Sequence, residues 1–402
     1  MKQLYSSIGV LAITLVLLVG LLRSNPFGAA CDGLDRLFGA PPKWTQVTNV
    51  YRNPKTQEMT HGDDPTASLD GLKQYWHQFP GAGRIVFIGN SQMHTISLAP
   101  GEPPPSTPEK TYVDLVMDMV RRVQPDELLY RLSSSGMSYP EVLWELNFMI
   151  DDPDLRPKTV ILQMNYQSFW TGNIRDSMLP MLAHPPFRAR IEALATSGRP
   201  DAQAYEDALH RYDQVEESDQ TKLNAASNAG LTSVFVPHLT PGFAMETRVR
   251  TWLDEVEPPA QRADLRESFE DFLYRGRLYL LQLKPSTARS IDGSRLFAAQ
   301  SAVDSIAELC NANDVHLILF NAPVNPNVAL YRTSKDREAY QRFVANIASR
   351  YNLPLFDFEN TIRAELWGHL LNGPDPLHMG RAGHQQMATQ MIQAMDSFLL
   401  TN

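Results

Sequence analysis

Five short apolar runs punctuate the chain from residue 84 onward. Arg84-Ile85-Val86-Phe87-Ile88 is the first, and runs at 127–132, 159–164, 315–320 and 355–358 follow. None alternates apolar with polar positions, as a strand with one wet face would. Each therefore predicts a short strand buried on both faces. Helical periodicity fills the gaps. Val116, Met119, Val120 and Val123 fall on one helical face. Segments 139–150, 294–310 and 336–351 read as helices, and Met387, Met391, Met395 and Phe398 repeat at helical spacing near the end. Strands alternating with helices predict a three-layer α/β/α architecture around a central parallel sheet of about five strands.

Two stretches break this rhythm. Between Phe169 and Ser290 lie about 120 residues without a strand repeat, a length that a compact domain does not leave structureless. Segments 202–215 and 260–283 look helical, so 170–290 is read as a large helical insertion, a lid or partner surface; a separate second domain is the alternative. Residues 31–80 carry Pro41, Pro42, Pro54, Gly33 and Gly39 and read as an irregular lead-in to a main domain over 81–402.

The amino terminus has its own signature. Lys2 precedes an uncharged apolar run over 8–22 that ends at Arg23. Extended to Tyr5, the run is just long enough to cross a bilayer, so residues 1–30 read as an uncleaved single-span anchor. A cleaved signal peptide, with Gly28-Ala29-Ala30 as its small residues, is the alternative. A lipid on Cys31 fits less well, because Gly28 stands where a larger apolar residue is preferred. Anchor and signal alike imply that the rest of the chain is exported.

Composition narrows the function classes. The 402 residues carry 36 Lys+Arg against 45 Asp+Glu, a net charge of −9, which disfavours a general nucleic-acid binder. At 43% hydrophobic and 20% charged residues, the chain is neither disordered nor a multi-span membrane protein. Two cysteines, Cys31 and Cys310, are too few for a disulfide scaffold or a cysteine-rich zinc site. His184 and His238 sit beside prolines, and His378 and His384 are six apart, so no histidine pair has a common zinc spacing. There is no phosphate-binding G-x-x-x-x-G-K-[ST] loop and no G-x-S-x-G elbow. Neither a cofactor nor a metal is expected.

Parallel α/β sheets collect ligands at the carboxyl ends of their strands. Gly89-Asn90-Ser91-Gln92 follows the first run, Ser133-Ser134-Ser135-Gly136 the second, and Gln163-Met164-Asn165-Tyr166 the third. Asp375-Pro376-Leu377-His378 stands just before the last helix. A serine hydroxyl needs an imidazole to take its proton, and the imidazole needs a carboxylate to hold its tautomer. Asp375 lies three residues before His378, within reach of one turn. The backbone N–H groups of Ser91 and Gly136, with the Asn165 amide, could receive an oxyanion. Each residue also has a plain structural role to fill: Ser91 as a helix cap, Gly136 as a turn former, Asn165 as a loop partner, His94 as a buried hydrogen-bonding group. The proline-rich loop 98–108 reads equally as a rim of the site and as a stiff surface connection.

Ser, Gly, Asn and His in this order, each after its strand, resemble the SGNH (GDSL-like) hydrolase superfamily. The matching segments are GNSQ at 89–92, SSSGMS at 133–138, LQMNYQ at 162–167 and DPLH at 375–378. The resemblance covers about residues 80–170 and 294–400 and implies a flavodoxin-like SGNH fold. It implies Ser91 as nucleophile, Asp375 and His378 as its partners, and Gly136 and Asn165 in the oxyanion hole. GNSQ in place of the commoner GDS, and Tyr166 after Asn165, set the chain apart from secreted lipases and esterases. An anchored, exported member looks more like the DltD-type and polysaccharide O-acyl-modification proteins. That implies an acyl donor, a glycan or water acceptor, and a membrane-bound O-acyltransferase as partner, on the outer side of a bacterial cytoplasmic membrane. An envelope lipase, thioesterase or deacetylase is a second reading. A non-catalytic assembly subunit with a vestigial triad is a third.

Overall fold

The apolar runs do become strands. A computed structural model describes residues 84–97, 109–124, 127–134, 136–153, 155–169, 172–213, 293–328, 333–370 and 373–399, together with the backbone of 44–46, 50–52 and 59–61. Its central sheet contains β1 (Arg84–Asn90), β2 (Leu128–Ser134), β3 (Thr159–Met164), β4 (His316–Asn321) and β5 (Leu355–Asp357). All neighbours are parallel and the spatial order is β2-β1-β3-β4-β5. This is the doubly wound order of flavodoxin-like sheets, whose switch point lies between β1 and β3.

Helices cover both faces. They are α1 (Tyr112–Val123), α2 (Tyr139–Asp151), α3 (Pro185–Ala195), α4 (Ala202–Asp213), α5 (Gly293–Ala312), α6 (Ser334–Arg350) and α7 (Arg381–Leu399). Strand alternation divides the core in two. Val86, Ile88, Tyr130, Leu132, Val160 and Leu162 pack with α2, α5 and α6. Ile85, Phe87, Leu129, Ile161, Ile318 and Phe320 pack with α1 and α7. Both sets of side chains are buried, which is why the runs read as continuously apolar. The β1–α1–β2 and β2–α2–β3 crossovers run in opposite directions along the sheet, so their helices fall on opposite faces.

Local signals set the helix starts that matter for the site. Thr111 and Asp114 form a capping box at α1, and Ser138 and Glu141 form one at α2. Glu141 then accepts from the Nε and Nη2 groups of Arg175, at 2.7 and 2.8 Å. The segment entering α2 is thereby clamped to the chain beyond β3.

The described part of the expected insertion belongs to the core. Met178, Leu179, Met181 and Leu182 of a 3-10 stretch (Asp176–Ala183) join Phe187 and Ile191 of α3 and Tyr205 of α4 in the cluster that contains α2. Trp144 stands edge-on to Phe187 at 5.2 Å. Residues 214–292, including the helix expected at 260–283, lie outside the described residues, as do the apolar segment 8–22, His238 and the loop 98–108. No helix among the described residues is long and apolar enough to cross a membrane. The lead-in is less irregular than its sequence suggests. Trp44–Gln46 pairs antiparallel with Thr95–Ser97, and Val50–Arg52 with Met59–His61. Three-residue strands are too short to show a period in the sequence.

Candidate active site

β1 delivers Gly89 and Asn90 to the carboxyl edge of the sheet, and the chain then tightens into a single 3-10 turn, Ser91–Met93. Asn90 caps that turn: its Oδ1 accepts from the Gln92 backbone N–H at 3.1 Å. Ser91 is therefore the first residue of a capped turn at the strand end, buried to 7% exposure.

Asp375 and His378 come from the strand Gly373–Met379, directly before α7. Asp375 Oδ1 accepts from the backbone N–H groups of Leu377 and His378, at 2.8 and 3.0 Å. Its Oδ2 lies 3.0 Å from His378 Nδ1. On the far side of the ring, His378 Nε2 lies 3.0 Å from Ser91 Oγ. Ser91, His378 and Asp375, separated by up to 287 positions in sequence, thus form one hydrogen-bonded chain.

The protonation pattern follows from the contacts. Burial alone would raise the Asp375 carboxyl, but the facing His378 charge and the hydrogen bonds from His378 and Leu377 outweigh it and hold it below its ordinary value. An ionised Asp375 can only accept, so Nδ1 of His378 must carry the proton. Nε2 of the neutral ring is then left as an acceptor facing the Ser91 hydroxyl. This is the tautomer a general base requires.

Gly136 and Asn165 stand at the ends of the two strands that flank β1. Asn90 is level with Ser134 on β2, and counting on from the Ile88–Leu162 pair puts Asn165 level with Ser91. Gly136 has φ 67°, a left-handed conformation that glycine adopts without penalty. Asn165 is fixed on three sides. Its backbone N–H donates to Tyr139 Oη at 2.9 Å, and its carbonyl accepts from the same hydroxyl at 3.3 Å. Its Oδ1 accepts from Gln167 N at 2.8 Å, which leaves the Nδ2 end of the amide as the donor.

His94, three residues after Ser91, takes the structural role. Its Nδ1 lies 3.0 Å from Ser133 Oγ at the end of β2. Burial, reinforced by Arg131, His378 and Arg175, pushes its pKa well below the ordinary histidine value, so it stays neutral beside the triad. His384 is also structural. Its ring stacks on Tyr112, its Nδ1 accepts from Tyr112 N at 3.1 Å, and its Nε2 lies 3.1 Å from Thr95 O. Cys310 is buried in α5, and burial lifts its thiol to about 12. Among the described residues no group of His, Cys, Asp and Glu side chains is placed to hold a metal ion.

Sequence reasoning missed an amide network beneath the site. Gln92, fully buried, donates from Nε2 to the carbonyls of Pro323 and Leu377 at 2.9 and 3.0 Å. Its Oε1 accepts from Gln163 Nε2 at 2.8 Å. Gln163 Oε1 in turn accepts from Asn90 N at 2.9 Å. Asn325, also fully buried, donates to the Asp375 carbonyl at 2.7 Å. The only sequence signal was a polar amide inside or beside an apolar run.

No protein-family model matches the chain, and no curated protein matches it. Among solved structures it is similar to the psychrotrophic esterase EstA from Pseudoalteromonas sp., at 11% identity over 79% of this chain and 98% of that one, with a TM-score of 0.36. It is also similar to Axe2, an acetylxylan esterase from Geobacillus stearothermophilus, at 13% identity over 80% and 97% with a TM-score of 0.36. An aryl esterase of M. smegmatis matches at 10% identity over 79% and 99%, with a TM-score of 0.30. Likenesses this distant carry no functional argument. The α/β class rests on strand order, and the chemistry rests on the Ser91–His378–Asp375 contacts.

Proposed function

We propose that this chain is an SGNH-type serine esterase or O-acyltransferase, held outside the cytoplasmic membrane by its amino-terminal segment. Its proposed substrates are small acyl esters of envelope or exported polysaccharide. The observation that carries the reading is the chain Ser91 Oγ–His378 Nε2–His378 Nδ1–Asp375 Oδ2, with both links at 3.0 Å. A scaffold would need none of these groups in this relation.

In this mechanism Ser91 Oγ attacks the acyl carbon while His378 Nε2 takes the hydroxyl proton. Asp375 stabilises the resulting imidazolium without itself taking the proton. The Ser91 and Gly136 N–H groups and Asn165 Nδ2 receive the negative oxygen of the tetrahedral intermediate. Collapse breaks the ester C–O bond, and His378 returns its proton to the departing alcohol. Water or a glycan hydroxyl then attacks acyl-Ser91, with His378 again as base. Exclusion of water decides between hydrolysis and transfer. The choice of glycan, and of a membrane-bound O-acyltransferase as the donor's source, is supported by the resemblance of the four motif segments and by the apolar run at 8–22.

The test is turnover of p-nitrophenyl acetate with and without an oligosaccharide acceptor. The expected result is acyl release that Ser91→Ala reduces by about 10⁴-fold or more, with part of the acyl group recovered on the glycan. Equal rates for Ser91→Ala and the parent chain would remove the nucleophile assignment.

A further inference from the structure

We propose that Gln92 is a positioning residue that sets the approach of His378 to Ser91, through its carboxamide bridge to the carbonyls of Leu377 and Pro323. The inference rests on the reading of Ser91 as nucleophile and His378 as its base.

The geometry gives Gln92 three attachments. Its backbone N–H is taken by Asn90, which fixes it in the turn that presents Ser91. Its Nε2 reaches two carbonyls that belong to different segments: Leu377, immediately before His378, and Pro323, just past β4. Its Oε1 is held by Gln163 of β3. The nucleophile turn and the base-bearing segment therefore share one rigid amide. The direct contact between Ser91 and His378 is the hydrogen bond on which the reaction depends.

Gln163 fixes which way round the Gln92 amide lies. Its Oε1 is occupied by Asn90 N, so its Nε2 is the end that meets Gln92, and Gln92 must offer Oε1 in return. The NH₂ end of Gln92 is then aimed at the two carbonyls. Both glutamines are at most 1% exposed, so bulk solvent does not reach the carbonyls that a lost donor would leave. Gly89 belongs to the same assembly: a Cβ there would stand 2.4 Å from Gln163 Oε1 and 2.7 Å from Gln163 Cβ.

Gln92→Glu keeps the shape but leaves at most one donor, the O–H of a protonated carboxyl, for two carbonyls. Gln92→Leu removes the donors without adding charge. Each is to be compared with the full chain by the saturation kinetics of Ser91 phosphonylation with a fluorophosphonate. We expect both variants to lower the maximal labelling rate about 10- to 100-fold, a loss typical of misplacing a reacting group by about 1 Å. The half-saturating probe concentration should not change, because Gln92 does not touch the probe. A purely structural role would read differently: unfolded molecules lower the final extent of labelling, not the rate of those that label. Gln163→Leu should slow the rate in the same sense, and the double variant Gln92→Leu/Gln163→Leu should lose little beyond the larger single loss, since one residue acts through the other. Rates within about twofold of the parent, or a loss confined to the half-saturating concentration, would overturn the positioning role while leaving Ser91 as nucleophile. A parent chain that does not label at Ser91 would remove that reading and this inference together.

Discussion

Asp375 uses one oxygen for two backbone N–H groups and the other for the His378 ring, so the carboxylate fixes both the segment that carries the imidazole and the tautomer it holds. Asn at this position keeps the volume but puts an NH₂ group where one acceptor stood. Facing a donor, His378 Nδ1 would surrender its proton and Nε2 would gain one, turning the base away from its task. Asp375→Asn should therefore lower p-nitrophenyl acetate turnover by about 10²- to 10⁴-fold, with little change in KM. A loss below about tenfold would mean that the carboxylate is not orienting a base. The juxtaposition of Ser91, His378 and Asp375 was legible in the sequence because their chemistry is unusual and their spacing is short or strand-anchored. Gln92, Gln163 and Asn325 were not. An amide in an apolar run says that it needs a partner, and only the strand register says which one.

At the scale of elements, burial on both faces made the sheet readable. Five continuous apolar runs became five parallel strands, and the 3.6-residue periods between them became α1, α2, α5, α6 and α7. β1 runs two residues past its apolar stretch, because Gly89 and Asn90 still pair with Ser133 and Ser134 through backbone alone. The 3-10 stretch Asp176–Ala183 carries its buried Met178, Leu179, Met181 and Leu182 at helical spacing, but it is only eight residues long and Pro180 interrupts it, so the sequence does not mark it as a separate element. The end of β1 is also where packing is least forgiving. Gly89→Ala would drive a methyl into Gln163 and into Met93 Cε, itself 2.7 Å away. Denaturant unfolding should show a loss of about 1–3 kcal/mol, with phosphonylation of Ser91 slowed in the molecules that remain folded. An unchanged midpoint and rate would mean that the β1–β3 contact yields without consequence.

Over the whole molecule, buried titratable groups shape stability against pH. Burial holds His384 down from 6.5 to about 4, so the folded ring is neutral while the unfolded one takes a proton below pH 6.5. Stability is lost as pH falls through that window, by up to about 3 kcal/mol. His94 acts in the same direction, and Asp375 adds a loss below pH 3.8. Glu145 opposes them. Burial raises its carboxyl from 4.5 to about 8, against Arg175, and its Oε2 has no hydrogen-bond partner among the described residues. The folded state keeps this proton where the unfolded state releases it, so its contribution declines as pH rises from 4.5 to about 8. Glu145→Gln should raise the thermal midpoint by several degrees at about pH 9 and give no gain at about pH 5. Equal shifts at both pH values would contradict the buried, protonated carboxyl.

Covalent labelling reaches the Ser91 hydroxyl oxygen directly. The chain is treated with a fluorophosphonate, digested, and the adduct located by mass spectrometry, with Ser91→Ala alongside. One phosphonyl group is expected on the peptide containing Ser91 and none on the folded variant. A folded parent chain that stays unlabelled, or carries the group on another residue, would contradict Ser91 as the nucleophile.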